Sequence, residues 1–410
     1  MYVDPKQFFE RTHLTESLID LSSQMVRRLN GIKVETSAVF NMATQFGGGK
    51  THALAALFHL AKHGSAAKRW KGVESIATKA ELQEWPVAKI AVIVGTEIEP
   101  VTGYGREGDP QRRTPWGELA WQLGGTAAFA RVAQHDSELR APSEPVLRDI
   151  IGTGPVLILI DELMGYVSRA RGVVGTSGVP GRAQTKEFIQ NLAGVIAALD
   201  CAVLCASVPS SSDTEMPDPD DKVDYEAIKH ALNRTGKAVS MSMGGEINEI
   251  IRRRLFEWDG LPEEGRKTAA AYAEWCRDHA GELAGLSGEE ALKSFRDSYP
   301  FHPAVISVFE RKWSSLPRFQ RTRGVLRLLA LWVSRVYKEG YDRVTGEALI
   351  TLGTAPFQDA LFTDALFEQL GEPKLRVPVT SDIAGRPESH AARLDAEAVD
   401  AIKKSRLHQK

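Results

Sequence analysis

A glycine-rich turn followed by Lys-Thr constrains this chain more than any other feature of its sequence. An apolar strand candidate at residues 36–42 leads to three consecutive glycines at 47–49, and Lys50 and Thr51 then open a segment, residues 53–61, with helical spacing. This order is typical of a phosphate-binding loop, because backbone N–H groups can wrap a polyphosphate closely only where no side chains intervene. Lys50 would reach the β and γ phosphates, and the Thr51 hydroxyl would ligate Mg²⁺.

The general pattern for such a loop is met only in its second half. The sequence G-x-x-x-x-G-K-[ST] would place its first glycine where Thr44 stands, so only Gly49, Lys50 and Thr51 fit. A glycine-rich turn ahead of a helix is also a common structural device. A second element is needed to decide between these interpretations.

A second apolar run supplies that element. Residues 156–160 are all aliphatic, and the β-branched Ile158 and Ile160 favour a strand that is buried on both faces of a parallel sheet. Asp161 and Glu162 follow where the strand leaves the core. Asp161 would hold Mg²⁺, directly or through water, and Glu162 would polarise the attacking water as a general base. The alternative is a buried strand capped by two solvated acids, but the glycine turn upstream favours a nucleotide site.

The composition narrows the class of protein. With 410 residues, the chain is long enough for two or three domains. Its formal net charge of -2 gives no global attraction to nucleic acid or to an anionic membrane, so such binding would need a local patch. The 3 cysteines lack metal-ligand spacing and indicate reduced thiols, and no apolar run reaches the length of a membrane span. We therefore predict a cytoplasmic protein.

Five strand candidates alternate with helical segments in the first part of the chain. They lie at residues 36–42, 89–95, 154–160, 202–207 and 238–243. This alternation predicts an α/β fold with a doubly wound parallel sheet and the nucleotide at the strand ends. Ser207 ends the strand expected beside that of Asp161. A hydroxyl there could orient the hydrolytic water near the γ-phosphate, so Ser207 is a candidate sensor.

The periodicity divides the chain into four parts. They are an N-terminal helical segment (1–35), an α/β domain (36–243), an α-helical domain (244–355) and an irregular C-terminal segment (356–410). Within the first part, Phe8, Phe9 and Leu14 either pack over an adenine base or dock the segment on the sheet.

Three stretches between these elements are predicted to be irregular. They are a polar connection at residues 70–87 and exposed loops at 97–115 and 169–184. Arg106, Arg112 and Arg113 in the first loop are either solvated charges or contacts for phosphate or a partner. The second loop follows the acidic pair directly, and loops at the carboxyl ends of parallel strands are where ligands bind.

A phosphate-loop α/β core followed by a helical lid resembles the AAA+ superfamily, and the comparison depends on Lys50, Thr51, Asp161, Glu162 and Ser207. Six segments are also similar to a large prokaryotic family of AAA+ ATPases, known by a domain of unknown function and often encoded in anti-phage gene islands. The segments are residues 4–18, 45–52 (Gln-Phe-Gly-Gly-Gly-Lys-Thr-His), 249–256, 299–303, 319–330 (with Arg-Thr-Arg-Gly-Val-Leu-Arg) and 391–395.

This resemblance implies an ATPase that uses ATP and Mg²⁺ and works as a homo-oligomer. It also implies protein partners in a defence complex and no membrane, with DNA as a further candidate partner. The family pattern includes the Gln-Phe-Gly-Gly-Gly version of the turn, so the departure at Thr44 matters less. The nucleotide-binding residues that it implies are Gln45, Phe46, Gly47, Gly48, Gly49, Lys50, Thr51 and His52. Members of the family are usually longer at both ends, so we expect this chain to be a truncated ATPase module.

Two arginine roles follow from the same resemblance. Arg234, at the end of the helix before the fifth strand, would be the finger that reaches the γ-phosphate of a neighbouring subunit. Arg323 would be a second sensor that touches the nucleotide from the helical domain, although Arg321 or Arg327 could serve instead. An arginine at a helix end also interacts favourably with the helix dipole, which is the structural alternative.

Three functions are consistent with these residues. The leading hypothesis is hydrolysis of Mg²⁺-ATP that drives the remodelling of a partner or of nucleic acid, with Glu162 activating the water. The first alternative is a nucleotide switch that binds ATP tightly, turns over slowly and signals by its bound state. The second is a DNA-binding module with regulatory ATP binding, whose basic patches at residues 252–254 and 318–327 contact phosphates.

Overall fold

The computed structural model describes most of the chain. The described residues are 2–44, 49–176, 178–209, 219–239, 247–258, 260–279, 288–309, 313, 321–342, 348–371, 374 and 376–378. Two compact units are present, Met1–Glu246 and Ile247–Lys410. Among the described residues, no helix combines the length and the apolar character that a bilayer crossing requires.

The first unit is built on a five-stranded sheet in which every strand pair is parallel. The strands are β1 (Val39–Thr44), β2 (Lys89–Val94), β3 (Val156–Asp161), β4 (Ala202–Pro209) and β5 (Lys237–Ala238). Their order across the sheet is β2-β3-β4-β1-β5. The predicted α/β class with a parallel sheet is confirmed, and it is compatible with a P-loop-like fold.

Helices cover both faces of this sheet. They are α1 (Pro5–Glu10), α2 (Glu16–Leu29), α3 (Lys50–His63), α4 (Val73–Ala80), α5 (Pro115–Ala130, with a break at Gly124 and Gly125), α6 (Ala133–Ser137), α7 (Glu144–Ile151), α8 (Leu163–Ala170), α9 (Gly181–Ala198) and α10 (Pro219–Thr235). Helices α1 to α4 share a core with one face, which includes Met42, Leu159 and Cys205, and we call it the α3 face. The opposite α9 face packs against α5 and α7 to α10 through Ile158 and Ile160.

The connections between strands define a switch point at the carboxyl edge. The chain passes from β1 to β2 through α3 on the α3 face, whereas it leaves β4 through α10 on the α9 face. Strands β1 and β4 are neighbours, so the chain departs from them in opposite directions. Open α/β sheets bind ligands outside the carboxyl ends of such strands.

Two of the predicted irregular stretches contain helix. Residues 70–87 include α4, whose buried Val73, Ile76, Ala77 and Ala80 have helical spacing that the short length and polar neighbours obscured. Helix α9 starts within the predicted loop 169–184. The Gln184 side chain, in its first turns, accepts a hydrogen bond from the backbone N–H of Ala141 (2.7 Å), a tertiary contact that periodicity does not reveal.

The loop at residues 97–115 is less exposed than predicted. Arg112 is 3% exposed, and its Nε donates to Glu118 Oε2 at 2.5 Å. Its guanidinium also lies over the rings of Tyr104 and Trp121, 5.4 and 5.1 Å from their centroids. Arg112 therefore fixes the loop to α5, because a buried arginine requires a charged partner. It is neither a solvated loop charge nor available to phosphate.

In the second unit the described residues form helices and one isolated bridge, between Phe301 and Ile350. The helices are α11 (Ile247–Leu255), α12 (Glu263–Asp278), α13 (Gly288–Ser298), α14 (Pro303–Ser307), α15 (Arg321–Asp342), α16 (Ala360–Leu370) and α17 (Arg376–Pro378), with a 3-10 turn at Leu352–Thr354. Helix α16 lies within the stretch for which the sequence predicts irregular structure. Its Phe362 packs against Trp332 of α15 in the core of the unit.

Candidate functional site

Gly49 directly precedes α3 and is the one glycine of the turn among the described residues. Gly49 is the residue before α3 and has a φ of 81°, a left-handed conformation that favours glycine. A Cβ at this position would meet no atom within 4 Å, so the backbone conformation rather than space requires glycine. Gln45, Phe46, Gly47 and Gly48 lie outside the described residues.

Thr51 and Asp161 meet at the carboxyl edge of the sheet. The Thr51 hydroxyl, in the first turn of α3, donates to Asp161 Oδ2 at 2.8 Å, and Asp161 is the last residue of β3. Asp161 is 9% exposed, and its Oδ1 accepts from the backbone N–H of Glu162 at 3.1 Å. The structure therefore brings together two oxygen-bearing side chains that are 110 residues apart in the sequence.

The sheet register places Ser207 beside this pair. Ile160 pairs with Ala206, so Ser207 is level with Asp161, and Ser207 pairs on its other side with Met42 of β1. Leu159 and Cys205, two residues earlier in each strand, belong to the core of the α3 face. Because side chains alternate along a strand, Asp161 and Ser207 are on that same face. Ser207 is buried, between the strands that carry the glycine turn and Asp161.

Glu162 is held by a hydroxyl that the sequence analysis did not single out. Thr96 Oγ1, just beyond β2, donates to Glu162 Oε2 at 2.9 Å. Glu162 is exposed and has a φ of 51°, which is uncommon for a residue other than glycine. Gly95 allows the close approach of the two strand ends, because a Cβ there would lie 2.3 Å from the Glu162 carbonyl oxygen.

Arg169 supports the turn that carries Thr96. Its guanidinium, in the last turn of α8, donates to the carbonyl oxygens of Gly95 (2.5 Å) and Ile98 (2.8 Å). The signal for Thr96 was present in the sequence, because it is a hydroxyl residue directly after an apolar strand, although Ser207 lies two residues before the end of β4. The strand order that sets β2 beside β3 was required to recognise it.

The residues at this edge are suited to Mg²⁺. A threonine hydroxyl and a carboxylate are hard oxygen ligands, and Mg²⁺ in phosphoryl-transfer sites is usually bound by one or two protein oxygens together with water and substrate phosphates. Thr51 and Asp161 already lie within 2.8 Å of each other. One small cation could therefore contact both oxygens, either directly or through water.

His52 faces away from this edge. Its Nε2 is 2.9 Å from Thr12 Oγ1, and its ring packs on Phe8 with centroids 4.5 Å apart. Phe8 and Phe9 are fully buried, and Phe9 stacks on Trp70 at 5.2 Å. These phenylalanines dock the N-terminal segment on the core of the α3 face, which is the structural alternative that the sequence left open.

Arg234 lies at the end of α10, beside the amino-terminal half of β1. It is exposed in the last turn of α10, and Lys237, three residues later, pairs with Phe40 near the start of β1. Asn41, fully buried in β1, donates to Asn233 Oδ1 at 2.9 Å and fixes this helix end. At about 3.3 Å per residue, β1 places its first residue roughly 16 Å from its carboxyl end. The helix end that carries Arg234 therefore lies beside the amino-terminal half of β1, away from the carboxyl edge at which Thr51 and Asp161 meet.

Several arginines that the sequence analysis singled out in the second unit have local partners or side chains outside the described residues. Arg323 is in α15, but its side chain is not among the described ones. Arg327 pairs with Glu368 of α16 at 2.6 Å. In the basic triplet, Arg252 and Arg253 both pair with Glu249, at 2.6 and 3.0 Å, so neither is an open phosphate contact.

A family model described as the DUF499 N-terminal domain matches residues 1–241. The matched stretch includes the whole sheet, the glycine turn, the Thr51 and Asp161 pair and the Thr96 and Glu162 pair. Comparison with proteins of curated function finds none that matches this chain.

Proposed function

We propose that this chain, which belongs to the DUF499 family, is a Mg²⁺-dependent ATPase of the AAA+ kind. The observation that carries the proposal is the 2.8 Å hydrogen bond between Thr51 and Asp161. It joins the start of the helix after the glycine turn to the end of the buried strand β3, which β4 separates from β1, at the carboxyl edge of a parallel sheet. A chance turn and a chance pair of solvated acids would have no reason to meet there.

Each residue at the edge has a role in this proposal. Thr51 and Asp161 would hold Mg²⁺, which would neutralise charge on the β and γ phosphates, and Lys50 would contact those phosphates. Glu162 would take a proton from the attacking water. At the same time, the oxygen of that water would bond to the γ-phosphorus, and the bond between this phosphorus and the β–γ bridging oxygen would break. Ser207, level with Asp161, would orient that water.

The contact between Thr96 and Glu162 supports a second candidate, the slowly hydrolysing nucleotide switch. A carboxylate oxygen that accepts a hydrogen bond from Thr96 at 2.9 Å is occupied by that contact while the contact lasts. In this arrangement the chain would bind nucleotide and turn it over slowly. Release of Glu162 from Thr96 would then set the rate of hydrolysis.

The position of Arg234 supports an oligomer. We propose that Arg234 acts across a subunit interface, because it is exposed at a helix end away from the carboxyl edge of its own sheet. The roles of the second unit as a lid and of Arg323 as a second sensor stay predictions from the resemblance to AAA+ proteins. Remodelling of a partner or of DNA, and a setting in anti-phage defence, also stay predictions.

Turnover across a series of protein concentrations tests the main proposal. We expect ATP hydrolysis whose specific activity rises with protein concentration. Lys50→Ala should abolish both binding and hydrolysis, whereas Glu162→Gln should bind Mg²⁺-ATP and fail to hydrolyse it. Binding without turnover at any concentration would instead favour the switch. If Mg²⁺-ATP does not bind at all, the proposal is wrong.

A mixing experiment tests the role of Arg234. Lys50→Ala leaves a subunit with its own Arg234 but a defective phosphate site, and Arg234→Ala does the reverse. If each variant alone is inactive and their mixture regains hydrolysis, Arg234 acts on a neighbour's nucleotide. If the mixture stays inactive although the two variants assemble with each other, that role is excluded.

A further inference from the structure

Two consecutive residues at the start of α3 face opposite partners. Thr51 bonds to Asp161 at the edge of the sheet, and His52 bonds to Thr12 of the N-terminal segment. Successive residues of a helix point about 100° apart, so one turn of α3 can be held from both sides. The first turn of this helix is therefore a direct link between the N-terminal segment and the phosphate-site residues.

The hydrogen bond between His52 and Thr12 has a defined direction. Thr12 is 3% exposed, and its hydroxyl donates its single proton to the carbonyl oxygen of Phe8 at 2.6 Å. Toward His52 it can only accept, so His52 Nε2 carries the proton of the 2.9 Å bond. Nδ1 on the other side of the ring lies 3.4 Å from the Tyr2 hydroxyl. His52 thus contacts both ends of the segment from residue 2 to residue 12.

A second histidine, farther along α3, contacts the same segment. His59 Nε2 lies 2.9 Å from the Tyr2 carbonyl oxygen, which can only accept, so this nitrogen also carries a proton. Burial lowers the pKa of His59, and its ring packs on Phe8 with centroids 5.4 Å apart. His59 stands seven residues, about two helical turns, beyond His52. It offers a matched contact with the same segment that lies away from the phosphate-site residues.

We propose that residues 2–12 form an N-terminal clasp that positions the first turn of α3 for phosphate binding, with His52 as the positioning residue. The inference rests on the proposed ATPase function and adds to it a part of the chain outside the sheet edge. Because the clasp acts on the turn that carries Lys50 and Thr51, its loss lowers the affinity for Mg²⁺-ATP. Whatever moves the clasp also controls nucleotide binding.

Nucleotide affinity of matched variants tests the proposal. His52→Ala removes both contacts, His52→Gln retains an N–H donor, and His59→Ala removes the grip two turns away. With a fluorescent ATP analogue and Mg²⁺, we expect the Kd of His52→Ala to rise about tenfold, the change that loss of roughly one hydrogen bond produces. His52→Gln should restore most of that affinity, and His59→Ala should bind nearly as the original chain does.

Amide hydrogen exchange without nucleotide separates this inference from the proposed function. We expect His52→Ala to speed exchange in residues 49–58 and His59→Ala to leave the first turn unchanged. If the original chain binds no Mg²⁺-ATP, the ATPase proposal fails. The hydrogen-exchange result still tests whether the clasp holds the first turn of α3. The clasp is excluded if His52→Ala changes neither exchange nor affinity, or if His59→Ala loses as much affinity at equal thermal stability.

Discussion

Two hydroxyl–carboxylate pairs lie at the same edge of the sheet, and they differ in burial and in origin. Thr51 and Asp161 join a helix start to a strand end at 2.8 Å, with the carboxylate buried. Thr96 and Glu162 join two strand ends at 2.9 Å, with the carboxylate exposed. The first pair is held in the core and is the one that we propose as oxygen ligands, whereas the second lies at the surface, where its contact can open without disturbing the core. We infer that the two pairs have different roles at this edge. The buried pair binds the metal and nucleotide, whereas the exposed pair opens to release Glu162.

The buried pair should give the largest effect when it is broken. Asp161→Asn or Thr51→Val removes an oxygen that we assign to Mg²⁺, and the loss of metal stabilisation is worth several kcal/mol in the transition state. We expect ATP turnover at saturating Mg²⁺ to fall by about 10³-fold. Thr51→Ser keeps the hydroxyl and is the matched control. Turnover within a few-fold of the original in Thr51→Val would show that this pair has no role at the metal.

The exposed pair should separate binding from hydrolysis. Glu162→Gln removes the general base while it keeps the side-chain shape, so turnover should fall by about 10²–10⁴-fold. The Kd of Mg²⁺-ATP should change little, in contrast to the Thr51 and Asp161 variants. Parallel measurements of turnover and of nucleotide binding check this contrast. Equal losses of turnover and of nucleotide affinity in Glu162→Gln would show that the exposed pair does not differ from the buried pair in its role.

Removal of only the hydrogen bond between Thr96 and Glu162 should raise basal turnover, whereas Glu162→Gln lowers it, and the change should be smaller. Thr96→Val frees the Glu162 carboxylate, and a bond worth about 1 kcal/mol corresponds to a rise of roughly fivefold in basal turnover. Thr96→Ser retains the bond and should behave as the original chain. The same change made in Glu162→Gln should do nothing. A rise that persists in that background would mean that Thr96 acts through another group.

The smallest effect is expected at Arg169, which acts on the exposed pair through the backbone. Arg169→Met removes the donors to the Gly95 and Ile98 carbonyl oxygens and loosens the turn that carries Thr96. Basal turnover should rise less than in Thr96→Val, by about twofold. Hydrogen exchange in residues 95–98 should increase at the same time. A loss of turnover instead would indicate that the turn helps to hold the active position of Glu162.

Both residues of the buried pair, Thr51 and Asp161, could be predicted from the sequence. Of the exposed pair, only Glu162 was predicted. The glycine turn and the aliphatic run ending in Asp161 each have a local pattern, and both patterns point to the carboxyl ends of parallel strands. Thr96 also follows an apolar strand, but its partner is set by the strand order, which places β2 beside β3. The positions of Ser207 and Arg234 followed from chain order, but the distance between Arg234 and the Asp161 edge required the register of β5.

The burial of charged side chains could not be predicted from the sequence either. Arg112 stands in a stretch rich in glycine, proline and charge, where solvent exposure is the ordinary expectation. Its ion pair with Glu118 and its contacts with two aromatic rings come from tertiary packing. Helix α4 shows a related limit. Its four buried residues have helical spacing, yet eight residues are too few for the pattern to stand out from polar neighbours.

The place of β1 in the sheet has a consequence for synthesis on the ribosome. Val39 pairs with Leu204, roughly 165 residues later in the chain, and the other neighbour of β1 is made later still. At about 5–20 residues per second, β1 waits roughly ten to thirty seconds for its first partner. Its apolar residues and unpaired backbone are open to other chains during that interval. Nascent chains of this protein should therefore depend on chaperones until β4 has emerged.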